Sequence, residues 1–531
     1  MSIFSDLVKY SRLAFDLRQF LKTPVTLEQS KLTISHRLKN REQHFLNLVQ
    51  KGIYQNPRSP YRQLLQYAGC EYTDFESSVN KNGIEPTLQN LLNKGVYISW
   101  EEFKGKKEVV RGGKRFYFKE TDFDNPYLSN YYQVRSGGSR SAGTRTVFDL
   151  RHRAEMSYYY SIMLEANRAT GYPMVLWFAG LPSIAGIGAL IQYARLGQPV
   201  IKWFSPAKPE NLGTSLRDRL AANFIIYGGR FWGAKLVKPQ YVSIENASEI
   251  AVFLEKVNKS SGGCNICCFV SQAVQVCQAA IEKNIDIQGV HFFVGGEPLS
   301  QAKRKQIEAA GALVTPRYHI TEIGSIGFSC MNSTNTDDVH LFHDTIAAIQ
   351  HKRQVEHTDI MVDAFMFSNL LVSAPKILLN VECDDYGLME TRDCGCLYDE
   401  LGFNRHISNI RSFAKLTGSG MTIIGSDLVY ILEEILPKKY GGSAADYQII
   451  EEEDNNAQTY LNLLISPTRG NIVESDVIAT ILNELRRSVN GGKLAAGFWS
   501  QINTLRVKRS HPVSSSGKIL TLHLKSRNYR S

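Results

Sequence analysis

The chain reads as an α/β protein whose main sheet is largely parallel and flanked by helices. Two features predict this. From Thr144 onward, short apolar runs alternate with runs of helical length and pattern. Before that, residues 1 to about 95 are polar and mostly helical in pattern, with a break at "NPRSPYRQ". At 531 residues the chain is too long for one simple core, so two to four domains or subdomains are expected.

The elements follow in order. "MSIFSDLVKYSRLAFDLRQF" carries acids and bases inside its apolar pattern, so it reads as an amphipathic helix and not as an export signal. "TVFDL" leads into a helix from about Arg151 to Ala169. "PMVLWFA" is a strand, "SIAGIGALIQYARLG" a helix ending at Gly197, and "PVIKWFS" a strand. "TSLRDRLAANFIIYG" and "ASEIAVFLEKVNKSSGG" are helices, the second with a glycine stop. "ICCFV" is a strand, "SQAVQVCQAAIEKN" a helix and "VHFFVGG" a strand. "SQAKRKQIEAAG" is a helix capped by Ser300 and stopped by Gly311. Ligands of such sheets sit where strands end and loops diverge.

Tyr172 to Ile191 holds no charge and is long enough to span a bilayer. Pro173, Gly180, Pro182, Gly186 and Gly188 break it into strand, turn and helix, so it is expected in the core and no membrane span is expected. The nine cysteines are unevenly clustered, which favours reduced thiols or metal ligands in a cytoplasmic protein. Net charge is +10, and Gln501 to Ser531 has seven Lys/Arg and no acid. Such a tail suits an anionic cofactor or an acidic partner; nothing points to nucleic acid.

Three loops carry the functional reading. "RSGGSRSAGTRT", Arg135 to Thr146, lets backbone N–H groups converge on an anion, although it lacks the P-loop lysine and by itself also fits a linker. "VGGEPLS" and "RYHITEIGSIG" follow strands. There Gly295 and Gly296 would admit a flat ligand, Tyr318 could stack on a base, Thr321 could donate to a phosphate and Glu322 could hold a hard cation.

The order and spacing of these pieces resemble the adenylate-forming superfamily of acyl-CoA synthetases, adenylation domains and luciferases, and most of all its phenylacetate-CoA ligase-like branch. The likeness runs from about Ser59 to Lys518. "SPYRQLLQYAG" resembles that branch's early segment, and "RSGGSRSAGTRT" stands at the family's phosphate loop, here Ser136, Gly137, Gly138, Ser139, Ser141, Gly143 and Thr144. "GGEPLSQAKRKQIEAAGA" brings Gly296, Glu297 and Pro298. "YHITEIG" matches the Tyr-Gly-x-Thr-Glu motif with His319 in place of Gly. "KILLNVECDDYG" aligns Asp385 with the ribose-binding Asp, while Asn380 and Glu382 replace two Arg. "IRSFAKLTGSGMTI" matches the hinge at Arg411 and Gly420 without the usual Asp. "HPVSSSGKI" places the adenylation lysine at Lys518.

The resemblance implies a large adenylation domain, 1–410, with a helical lead to about 95, and a small mobile α+β lid, 411–531. It implies that a small carboxylic acid is activated by ATP and magnesium as an acyl-adenylate, then passed to a thiol. Lys518, Thr321 and Glu322 would be catalytic, with magnesium on Glu322. The acid would lie near Phe178, Gly180, Phe269, Gly295 and His319. Coenzyme A is the expected acceptor. The alternatives are a carrier protein or other protein thiol, and a nucleotide-binding pseudo-enzyme. A dimer is compatible with the resemblance.

Cys330, His340, Cys394 and Cys396 form a spread Cys/His set between the Tyr-x-x-Thr-Glu motif and the hinge, where some members of the branch carry zinc. Four such ligands would make a closed structural site. His343 rivals His340, "CNICC" at Cys264 to Cys268 is a rival cluster, and unconnected thiols remain the alternative.

Overall fold

The structure is a computed structural model. It describes residues 3–105, 107–128, 132–135, 145–180, 184–206, 216–354, 361–412, 417–418, 421–422, 425–453, 459–487, 505–513, 519 and 521–524. The glycine/serine run Ser136–Thr144, Gly420 and Lys518 lie outside the described residues.

The lead is helical, as its pattern predicts: α1 (Ile3–Lys22), α2 (Leu27–Lys39), α3 (Arg41–Val49), α4 (Pro60–Tyr67), α5 (Tyr72–Asn82), α6 (Ile84–Asn93) and the short α7 (Trp100–Phe103). Thr26 and Gln29 cap α2 reciprocally. The break at "NPRSPYRQ" is a helix start, because Pro60 stands at the head of α4, where its missing N–H is not needed. Two hairpins follow, β1 (Val109–Arg111) with β2 (Lys114–Phe116), and β3 (Tyr132–Arg135) with β4 (Arg145–Phe148); the second brackets the glycine/serine run.

α8 (Leu150–Ala166) is capped by Asp149, whose carboxylate accepts from Arg151 N and His152 N at 2.8 and 3.0 Å. Then the alternation unfolds as strands β5 (Met174–Trp177), β6 (Val200–Ser205), β7 (Pro239–Tyr241), β8 (Asn265–Phe269), β9 (His291–Gly295) and β10 (Leu313–Ile320). They are joined by α9 (Ile184–Arg195), α10 (Leu216–Phe231), α11 (Ala247–Ser261), α12 (Val270–Glu282) and α13 (Gln301–Ala309). The charge-free window is divided between β5, wholly buried, and α9. Among the described residues no helix is long and apolar enough to cross a membrane. α10 differs from expectation by running through Gly228 and Gly229. A Cβ on Gly229 would lie 2.3 Å from Leu236, so glycine there serves close packing and not termination.

These six strands are parallel, in the order β10-β9-β8-β5-β6-β7. The sheet then continues antiparallel through β11 (Gly324–Phe328), β12 (Val339–Leu341), β16 (Arg405–Ser412), β15 (Val381–Thr391), β14 (Met361–Asn369) and β13 (Ile346–Gln354), making twelve strands. The sheet is therefore mixed. Parallelism belongs to the segment whose strands are joined by helices, since short connections allow only antiparallel neighbours. α8, α9 and α10 cover one face of the parallel half and α11 and α12 the other. Helices α3 to α6 share a core with the antiparallel half.

A second sheet has its own core, including Leu428, Ile449, Leu463 and Ile481. After the two-residue strands β17 (Thr417–Gly418) and β18 (Met421–Thr422) come α15 (Gly425–Tyr430), α16 (Leu436–Tyr440), β19 (Tyr447–Glu453), β20 (Thr459–Ile465), α17 (Glu474–Arg487), β21 (Leu505–Arg509) and β22 (Leu522–Leu524). The strands pair as β21-β20-β19-β22. This unit rests on α12 and α13. Lys303 Nζ lies 2.7 Å from Glu433 Oε1, Ser443 Oγ donates to Gln278 at 2.7 Å, and Ile519 N donates to Ser271 Oγ at 3.0 Å.

Burial holds His152, His291 and His343 at about 4, against 6.5 for a free imidazole. The unfolded chain therefore binds protons there that the native chain excludes. Their stabilisation is complete above pH 6.5 and is lost as pH falls toward 4. Asp344, pushed up to about 6 by burial, acts in the opposite sense between 3.8 and 6. His319 and His44 are lowered in the same way, so these groups outweigh Asp344. The melting temperature should fall from pH 6.5 to 4.5, and thermal unfolding across that range checks it.

Candidate active site

In the parallel half, strand order reverses between β5 and β8, so loops leaving their carboxyl ends diverge and open a crevice. Phe178 follows β5 and Phe269 ends β8. Their rings meet edge to face at 5.0 Å, and Trp203 Nε1 donates to the Phe178 carbonyl at 2.8 Å. Among the described residues nothing lies within 4 Å of where a Cβ on Gly180 would point.

Beside the crevice, at the ends of β9, β10, β15 and β16, lies a cavity of about 190 Å³. Its walls bring together residues far apart in sequence: Gly295, Gly296, Glu297, Pro298, Tyr318, His319, Asp385 and Arg411. Backbone sterics dictate the glycines. A Cβ on Gly295 would stand 2.7 Å from the Arg317 carbonyl oxygen, and Gly296 has φ of 76°. Tyr318 donates its hydroxyl proton to Asp385 Oδ2 at 2.8 Å, which fixes the ring against the carboxylate. Glu297 accepts from Ser271 N and Oγ at 3.2 and 2.8 Å, and the same Ser271 receives Ile519 from the second unit. The residue after Lys518 in sequence is thus anchored one side chain away from Glu297.

Asp337 was not legible from sequence. It lines the cavity and accepts from Asn409 N, Ile410 N and Arg411 Nη1 at 2.8, 2.9 and 2.9 Å, so it sets where Arg411 points. The only signal was a pair of adjacent acids before a strand. Lys104 is the second omission. Its ammonium lies 2.8 Å from Glu322 Oε1 and over the ring of Trp100 at 4.6 Å. Glu322 and Thr321 form the turn after β10 and are not among the residues lining the cavity. A carboxylate is the donor type that magnesium takes. Here its charge is already balanced by Lys104, so a metal would join an existing ion pair.

His319 packs against Phe328 at 5.1 Å between ring centroids and is held far below the ordinary histidine range, first by burial and then by the charges of Arg317 and Arg153. It is a neutral wall at physiological pH. Asn380 and Glu382 do not face the cavity. Asn380 donates to the carbonyls of Leu88 and Val96 at 2.8 and 3.2 Å, and Glu382 is held by His351 at 2.8 Å and by Arg353. Asn380 fastens the helical lead to the antiparallel half, and Glu382 ties β15 to β13.

The Cys/His set converges. Cys330 follows β11, His340 lies on β12, and Cys394 and Cys396 lie between β15 and α14 (Leu397–Glu400). Their donor atoms all fall within 4.8 Å of one another. Cys330 and Cys394 sulfurs are 3.8 Å apart, and His340 Nε2 is 3.4, 3.6 and 3.3 Å from Cys330, Cys394 and Cys396. A tetrahedron with Zn–S of about 2.3 Å and Zn–N of about 2.0 Å has edges of about 3.5–3.8 Å, so the donors fit zinc. His340 Nδ1 meets the Phe403 carbonyl at 2.6 Å, which assigns the proton to Nδ1 and leaves Nε2 as ligand. His343 turns to the edge of Phe403 at 5.3 Å and is outside the set. "CNICC" is a buried strand, with Cys267 Sγ 2.9 Å from the Tyr193 hydroxyl.

No protein-family model matches the chain, and no curated protein matches its sequence. Among solved structures, a 2-hydroxyisobutyryl-CoA ligase in its postadenylation state with an acyl-adenylate is similar at 13% identity and a TM-score of 0.52, covering 96% of this chain and 91% of that one. The same ligase in an open conformation with 2-HIB-AMP and CoA matches at 13% identity over 96% and 90%, with a TM-score of 0.45. An acetoacetyl-CoA synthetase from Streptomyces lividans matches at 12% over 78% and 56%, with a TM-score of 0.41. The first likeness shows a shared fold.

If the four donors hold zinc, elemental analysis of chelator-washed protein should give about one zinc per chain, and Cys394→Ser should lose it. Metal-free protein of unchanged melting temperature would remove the metal from the account.

Proposed function

We propose that this chain is an enzyme that activates a small carboxylic acid with ATP as an acyl-adenylate and transfers the acyl group to a thiol, with coenzyme A as acceptor. The observation that carries this reading is the single cavity uniting Gly296, Tyr318, Asp385 and Arg411 beside the crevice of a parallel sheet. In it, Tyr318 would stack on the adenine, and Asp385 and Arg411 would hold the ribose hydroxyls. Ser136–Thr144 would receive the phosphates, and the acid would occupy the crevice at Phe178, Gly180, Phe269, Gly295 and His319.

The carboxylate oxygen attacks the α-phosphorus, the bond to the β-phosphate oxygen breaks, and pyrophosphate leaves. A thiolate then attacks the acyl carbon and AMP leaves. Charge grows on phosphate oxygens in the first step, so catalysis is chiefly positioning and electrostatic stabilisation. Lys518 supplies a cation and Thr321 a hydroxyl donor. Magnesium, held at Glu322, would spread the charge of the phosphates. The zinc-type cluster has four protein donors, which leaves no open position, so its role is structural. We place the boundary between body and lid at residues 410 and 411, within the last three residues of β16. The Lys303–Glu433 pair, joined by Thr521 Oγ1 donating to Glu433 at 2.5 Å, would hold the lid in place for the first step. Nine free cysteines support a cytoplasmic setting.

Carboxylate-dependent exchange of pyrophosphate into ATP over an acid panel tests the reading; assays with coenzyme A and with carrier proteins then separate the acceptors. Lys518→Ala should cripple exchange but spare thiolysis of supplied acyl-adenylate, and equal loss of both steps would contradict the division of labour. Asp385→Asn removes a charged acceptor worth about 1.5–3 kcal/mol, so the KM for ATP should rise roughly ten- to a hundredfold with little change for the acid.

A further inference from the structure

The most unusual electrostatics lie behind His319, in groups that the reading above leaves unused. Arg317 precedes Tyr318 on β10 and is only 8% exposed. Its Nη2 donates to the Phe293 carbonyl at 3.1 Å, it hydrogen-bonds the Tyr160 hydroxyl, and its Nε is buried with no partner. Among the described residues it makes no ion pair. The acidic groups around it are Tyr160, Tyr193, Cys267 and Cys268, and burial pushes all four up, so each stays neutral. A second cation stands close by. The Arg153 guanidinium lies 2.6–2.7 Å from where a Cβ on Gly188 would be, and its charge, with that of Arg317, bears on His319. Two carboxylates of this region are engaged by other groups, Glu297 with Ser271 and Glu322 with Lys104.

A buried guanidinium faced, among the described residues, by these neutral groups is a cation short of an anion. The reacting carboxylate is not the natural candidate. Successive residues of a strand face opposite sides, so the side chain of Arg317 lies across the strand from Tyr318. A carboxylate clamped by a guanidinium would also be a poorer nucleophile. Arg317 pairs with Gly295, which pairs with Phe269 on its other side, and Arg317 itself lines the cavity, so it borders the space given to the acid. We propose that Arg317, backed by Arg153, receives a second anionic group on the acid, so that the substrate class is dicarboxylic. This rests on the acid-activating reading and names its substrate class.

The test uses the full chain with mono- and dicarboxylic acids matched in length from three to eight carbons. Pyrophosphate exchange is measured, and melting temperature is read with each acid. At one or more lengths the dicarboxylate should exceed its monocarboxylate partner at least tenfold in kcat/KM. Arg317→Met should abolish that preference while leaving the KM for ATP within about twofold, and Arg317→Lys should retain part of it. Should Arg317→Met fail to fold, the wild-type panel and Arg317→Lys decide. Preference for monocarboxylates at every length, or a dicarboxylate preference that survives in Arg317→Met, overturns the inference and leaves the activity standing. Absence of exchange with every acid, with no melting shift from ATP, overturns the activity. In that event a dicarboxylate melting shift that Arg317→Met loses still supports the anion site, and no such shift overturns it.

Discussion

The reversal of strand order between β5 and β8 governs the rest of the molecule. Parallel strands joined through helices must all release their chains at one edge of the sheet. Where the order reverses, two successive connections leave in opposite directions and nothing fills the space between them. Phe178 and Phe269 close its floor, and at its rim Gly295 stands where only a residue without Cβ fits against the Arg317 carbonyl, and Gly296 where φ is 76°. The cavity is therefore a consequence of topology, and its chemistry is set by which side chains the neighbouring strand ends carry.

The antiparallel half holds those strand ends in place with buried charge. Glu102 pairs with Arg111 at 2.8 Å, Lys376 with Asp124 at 2.7 Å, and Glu382 with His351 and Arg353. Removing one partner of such a pair typically costs about 3–5 kcal/mol, because the other is left charged in a low-dielectric interior. The first joins α7 to β1, the second joins the connection before β15 to the segment after β2, and the third ties β15 to β13. Asp337 extends the scheme to the cavity by clamping Asn409, Ile410 and Arg411 at the end of β16. The Cys/His cluster does the same from the other side, joining β11 and β12 to the connection between β15 and β16. Asp399 there accepts from Cys394 N and Gly395 N at 2.9 Å each, which shapes the tight turn of the two thiols.

The second unit is fastened differently. Among the described residues its polar contacts with the body include a buried ion pair, a serine–glutamine hydrogen bond and one backbone donor to Ser271. Polar contacts of this kind can be exchanged for water more readily than a broad apolar interface, which is what the proposed lid would need.

By itself the sequence determined the alternation of strands and helices, the helical lead and the split of the charge-free window, and it offered Cys330, His340, Cys394 and Cys396 as a candidate set whose convergence the tertiary structure decided. Those follow from local periodicity and from side-chain chemistry, which are written residue by residue. Tertiary structure decided the rest. The strands after β10 became antiparallel, Gly228 and Gly229 became a packing face, and Asn380 and Glu382 became fasteners. Lys104 was set on Glu322, Asp337 on Arg411, and Arg317 among neutral groups. Each of these depends on which distant groups share a low-dielectric space, and no spacing along the chain records that.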